Sequence, residues 1–140
     1  MTSQDLGLIV NDYLHHVPGF DFEHAGFQVL DDALAVASSG VPLEVMPAQR
    51  ILAAAAVIDR RLNGTPLELP AAQLDAIDRL DLMACQNRAS PAARAVWSVS
   101  HNQGSALKEQ WEGGLRFSEW TTHLLGVHDR LLNQAATLGS

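Results

Sequence analysis

Pro47-Ala-Gln-Arg-Ile-Leu-Ala-Ala-Ala-Ala-Val-Ile-Asp-Arg-Arg-Leu-Asn-Gly64 places eight consecutive apolar residues, Ile51 to Ile58, between charged ends. The only charges in the stretch are Arg50 before the run and Asp59, Arg60 and Arg61 after it. Pro47 is favoured in the first turn of a helix, and Asn63-Gly64 supplies a C-terminal stop. A helix over about 47–62 is therefore expected. Because its middle is apolar on every face, it has to lie at the centre of the protein, with the alanines letting neighbours approach closely.

On either side of this helix the apolar spacing is again helical rather than alternating. Breakers fall at His16–Gly19, Ser38–Pro42, Asn63–Pro66, Asn87–Pro91 and Gly113–Gly114. Leu6, Ile9, Val10 and Tyr13 form one stripe over 3–16, and Phe27, Leu30, Leu34 and Ala37 form another over 22–38. Pro70 opens a fourth segment with Leu74, Ile77, Leu80 and Ala84 on one face. Ser90-Pro91 reads as an N-cap and first-turn pair for a fifth, whose inward residues are Ala92, Ala95, Val96 and Val99. Ser105 caps a short helix to about Glu112, and Ser118 caps a last one with Trp120, Leu124, Val127 and Leu131 inward. The expected fold is all-α, a single domain over 1–140 with six or seven helices packed around the Ala-rich one.

The 140 residues suit one core rather than two. With 47% hydrophobic and 18% charged residues, the chain has enough apolar side chains to fill that core. The formal charge is −7. Such a balance argues against nucleic acid and anionic membranes, both of which call for a basic face. No apolar run approaches the ~20 residues of a transmembrane helix. A lone cysteine, Cys85, and an N-terminus without a basic leader point to the cytoplasm.

The charge is unevenly distributed. Residues 1–49 carry seven acids (Asp5, Asp12, Asp21, Glu23, Asp31, Asp32, Glu44) and no Lys or Arg, whereas nine acids and nine bases cancel from Arg50 onward. A single-sign segment of this kind suits a cationic protein partner. The first functional expectation is accordingly an immunity or antitoxin-type inhibitor of a basic, toxin-like enzyme. Asp12, Asp21, Glu23, Asp31 and Asp32 would supply the charge, and Phe20, Phe22 or Trp97 an apolar anchor. Trp97 stands about 100° away from the inward stripe of its helix, which marks it for a second contact surface. A solvated acidic face that only maintains solubility is the plainer reading of the same acids.

Chemistry-bearing patterns are sparse, and neither a catalytic group nor a cofactor is expected. His15, His16, Asp21, Glu23 and His24 surround a Pro-Gly turn and form the best available metal cluster, the core of a second reading as a metal-binding protein or small enzyme. Adjacent histidines on a helix diverge by about 100°, however, and no HExxH is present. His123 and His128 flank the last apolar stripe. Ser105-Ala-Leu-Lys108 matches the SxxK of serine acylases without the companion motifs, so capping explains Ser105 better. Asp75, Asp78 and Asp81 border a solvated helix face, with Asp75 and Arg79 at ion-pair spacing. Cys85 is expected to be a packed, inert thiol. A self-associating or ligand-binding helical module, with its interface at Trp97 or the Phe20/Phe22 turn, is the third reading.

Two stretches, about half the chain, carry a family resemblance. One is Leu52-Ala-Ala-Ala-Ala-Val-Ile-Asp-Arg-Arg-Leu-Asn-Gly-Thr-Pro-Leu-Glu-Leu-Pro70. The other is Asn102, Ser105, Leu107 and Trp111, followed by Trp120 and the Leu124 to Leu132 run. Both resemble a bacterial family catalogued as domain of unknown function 4259. The opening departs from that family, whose Trp-Gly start and Phe-Asp-Asn-Asp segment are represented at most by Asn11-Asp12. The resemblance implies a small helical protein of unassigned activity and names no catalytic residue.

Overall fold

The computed structural model describes residues 13–20, 26–38, 42–101 and 104–138. Seven α-helices lie among them: α1 (Gln28–Ala35), α2 (Val45–Asn63), α3 (Ala71–Asp78), α4 (Leu82–Asn87), α5 (Ala89–His101), α6 (Ala106–Glu112) and α7 (Phe117–Leu138). The Ala-rich helix is α2, and every residue from Ile51 to Asp59 in it is buried. Helices α1, α3, α4, α5, α6 and α7 all touch it, which accounts for an apolar sequence with no outward face. It ends at Gly64 with φ 68°, a left-handed conformation that glycine adopts without the Cβ clash. The all-α expectation holds.

Helices α5 and α7 share the most extensive helix–helix contact and close over α2. Ala92, Ala95, Val96 and Val99 from one, and Trp120, Leu124, Val127 and Leu131 from the other, are all buried as their spacing requires. Trp120 is fully enclosed, with Trp111 and Phe117 stacked near it at ring-centroid distances of 5.9 and 6.0 Å. Before α1, Tyr13, Leu14, Val17 and Phe20 are packed into the same core.

Three boundaries differ from the sequence reading. The segment after Pro70 is two helices, because the chain leaves the helix at Arg79 and Asp81 starts another by accepting the Ala84 amide at 2.9 Å. The Leu80 carbonyl freed by the break accepts from Arg61 Nε at 2.7 Å, and Arg60 forks onto Asp78 at 3.2 and 3.0 Å. The charged end of α2 thus fastens α3 and its exit, and neither Asp78 nor Asp81 merely lines a solvated face. Helix α5 begins at Ala89, so Ser90 and Pro91 lie inside its first turn. Helix α7 begins at Phe117, which likewise puts Ser118 inside the helix, where its carbonyl accepts from Thr121 Oγ1.

Ser105 caps α6 as expected, its hydroxyl accepting from the Lys108 amide at 3.3 Å. It is fully buried and part of a parallel bridge in which Leu43 N–H donates to Gly104 O (2.9 Å) and Ala106 N–H donates to Leu43 O (2.7 Å). Gly104 is required by close approach there, since a Cβ would stand 3.3 Å from the Pro42 backbone. Cys85 is buried, and that burial pushes its thiol up to about 11, away from the reactive thiolate. Among the described residues, no helix is long and apolar enough to cross a membrane.

Candidate functional site

A buried carboxylate and a group of polar side chains meet where the C-terminal end of α2 packs on the middle of α7. Asp59 is the first charge after the apolar run, and it is 2% exposed. A carboxylate so placed requires full hydrogen bonding and a counter-charge. Arg130 from α7 supplies both. Its Nη2 donates to Oδ2 at 2.9 Å, and its Nε lies 3.1 and 3.2 Å from Oδ1 and Oδ2. One helical turn further along α2, Asn63 Nδ2 donates to Asp59 Oδ1 at 2.9 Å, and Asn63 Oδ1 accepts from Gln134 Nε2 at 2.9 Å. Residues four apart on α2 therefore meet residues four apart on α7 in a continuous polar seam.

Arg130 folds back along its own helix, so that its Nη1 would stand at an ordinary contact distance of 3.4 Å from a Cβ on Gly126.

Two turns before Arg130, on the same side of α7, His123 lies with its Nε2 2.6 Å from the Tyr13 hydroxyl, the rings stacked at 6.0 Å. Burial first and the Arg130 charge second bring the His123 pKa down to about 4, with Asp59 partly opposing them. At neutral pH the imidazole is uncharged, and its Nε2 shares a hydrogen bond with the Tyr13 hydroxyl. Tyr13, Asp59, His123 and Arg130 line a cavity of about 280 Å³ whose other walls include Ala56, Leu67 and Val127. A guanidinium, a neutral imidazole and a phenol thus border a space that Ala56, Thr65, Pro66, Leu67 and Val127 complete, a mixture common in small-molecule pockets. Sequence reasoning missed this group because its members stand at 13, 59, 123 and 130 and form no local motif. One signal was present, a carboxylate directly following a run that is apolar on all faces.

The residues singled out from the sequence are dispersed. Asp12, Asp21, Phe22 and Glu23 lie outside the described residues. Phe20 is 5% exposed, with the Arg50 guanidinium 5.8 Å from its ring centroid; it belongs to the core and is not an outward anchor. Asp31 is engaged by Arg88, whose Nε and Nη2 donate at 2.7 and 3.0 Å while its guanidinium lies 4.3 Å over Phe27. Its charge is matched within the chain rather than left for a partner. Asp32 is exposed and accepts from Gln28 at 2.6 Å.

Trp97 is 46% exposed on α5, stacked on His101 at 3.6 Å and tilted against His128 of α7 at 5.3 Å. Leu125 and Leu132, each 46% exposed, lie one turn before and one turn after His128. At ~100° per residue, this face of α7 is roughly opposite the one bearing His123, Val127 and Arg130.

Of the histidine-rich turn, Asp21, Glu23 and His24 are outside the described residues. His15 and His16 have ring centroids 4.1 Å apart, and His16 Nε2 lies 3.0 Å from Gln49 Oε1. Among the described residues, no three His, Cys, Asp or Glu side chains are grouped to hold a metal ion. A groove of about 440 Å³ runs between α1 and α5 past Asp31, Arg88, Arg94 and Ser98.

No curated protein and no solved structure matches this chain. One family model does, over residues 19–123, a wider span than the two quoted stretches and one that omits the departing N-terminus. It takes in α1 to α6, the start of α7, and both Asp59 and His123 of the polar cluster, while Tyr13 and Arg130 fall outside it. The chain belongs to the family described as domain of unknown function (DUF4259).

Proposed function

We propose that the protein is a cytoplasmic protein-binding domain, an inhibitor of the immunity or antitoxin type that docks on a cationic enzyme. The observation that carries the reading is Trp97. A half-exposed tryptophan stacked on His101 and touching the His128 face of α7, which also carries half-exposed Leu125 and Leu132, has the composition of an interface anchor. The partner's charge is inferred from the acid-only first 49 residues, which would accelerate encounter with a basic surface. Pairing of Asp31 with Arg88 leaves Asp32 as the more available of those two carboxylates.

The test starts with tagged protein in lysate of its own source, washed at low and at about 0.5 M salt, where screening shortens the reach of charge to a few ångströms. A single basic enzyme that elutes with salt is the expected result. Against that purified enzyme, Trp97→Ala should weaken binding roughly thirtyfold, the equivalent of about 2 kcal/mol at an aromatic anchor. Asp12→Lys with Asp32→Lys should slow association and leave dissociation nearly unchanged. Affinity indifferent to salt would remove the cationic enzyme from the reading, and an inert Trp97→Ala would remove the docking face.

A further inference from the structure

The Tyr13–His123–Asp59–Arg130 cavity has more hydrogen-bonding capacity than the fold uses. Arg130 spends Nε and Nη2 on Asp59, while Nη1 makes no hydrogen bond to any described residue. The Arg130 side chain is 41% exposed, so it can be reached from outside. Asp59 already accepts from Arg130 and Asn63, which leaves little to attract a cation. The unspent capacity is therefore a donor edge on a positive group.

Ala56, Leu67 and Val127 line the same cavity and offer apolar side chains to whatever enters. The volume of about 280 Å³ admits roughly ten non-hydrogen atoms at water's ~30 Å³ share each. Asp59 limits the charge that fits. One guanidinium shared between two carboxylates tolerates a monoanion, whereas a dianion such as phosphate would face Asp59 with no further cation to balance it.

We propose that this cavity binds a small organic monocarboxylate with an apolar body, its carboxylate accepting from Arg130 and its body lying against Ala56, Leu67 and Val127. The site is on the far side of α7 from Trp97, so ligand binding and protein docking are separable and either can fail alone.

Benzoate and inorganic phosphate are suitable probes, titrated into the folded full-length protein while the His123 ring resonances are followed by NMR. Benzoate should shift them saturably with a dissociation constant below about 1 mM, and phosphate should not. Thr65→Trp, which crowds the cavity from the lining position that Thr65 holds while leaving its backbone carbonyl bound by Arg60, should abolish the shift in a protein that still melts cooperatively. Arg130→Lys, which keeps the charge without the fork, should weaken benzoate at least about tenfold. No saturable shift up to about 10 mM, a benzoate shift that survives Thr65→Trp, or an equal response to phosphate would each overturn the assignment.

Discussion

Arg130→Ala should destabilise the protein by about 3 kcal/mol, more than Asp59→Ala does, although the two remove the same ion pair. The asymmetry follows from burial. Asp59 is 2% exposed and cannot recover hydration when its partner leaves, so Asn63 alone would have to satisfy a buried carboxylate. Arg130 is 41% exposed and can turn its guanidinium toward water once Asp59 is gone. Asp59→Ala is therefore expected to cost about 1–2 kcal/mol, mainly through lost packing and lost hydrogen bonds, since Asn63 is exposed and can turn to water. The double variant should lie close to Asp59→Ala alone, because the main damage in Arg130→Ala is a charge the second change removes. Urea unfolding followed by circular dichroism measures all four corners of the cycle. Equal losses for the two single variants, or additive losses in the double, would refute this account of the pair.

Acid should weaken the fold before most carboxylates titrate. His123 has its pKa lowered from 6.5 to about 4 by burial first and by Arg130 second. Below pH 6.5 the unfolded chain therefore takes up a proton that the folded chain refuses. The contribution is fully present above pH 6.5, falls away as the pH drops toward 4, and is constant below that. At 1.36 kcal/mol per pH unit the loss amounts to about 3 kcal/mol. His123→Gln retains a side-chain acceptor for the Tyr13 hydroxyl and removes the titration. Its stability, measured by urea unfolding at intervals between pH 7 and 4, should fall by that much less than the parent's. Parallel profiles for the two proteins would show that His123 is not the group responsible.

The helices could be read from the sequence because each is decided by a local pattern. Ile51 to Ile58 specifies a buried helix by composition alone, Gly64 specifies its end, and the stripe from Trp120 to Leu131 specifies the inward side of α7. Boundaries were less legible where a distant side chain shifts the balance. The break at Arg79–Asp81 is stabilised by Arg61 donating to Leu80 O, which no window around residue 80 contains. The polar cluster was hidden for the same reason, since the meaning of Asp59 depends on Arg130, and that of His123 on Tyr13. Phe20 shows the converse error. Its position beside a Pro-Gly turn suggested exposure, yet the turn directs it into the core.

The bridge between Leu43 and Ser105 gives the molecule a built-in reporter of its global opening. Most of its amide protons are protected by bonds within their own helix or turn, and such bonds can persist or break without the rest of the fold. The amides of Leu43 and Ala106 are the two described backbone donors whose acceptors come from a distant part of the chain. Neither can be protected from hydrogen exchange unless the loop before α2 and the turn before α6 are held together. Exchange at these two amides therefore follows the joining of the chain's two halves, while the helical amides around them also follow local fraying.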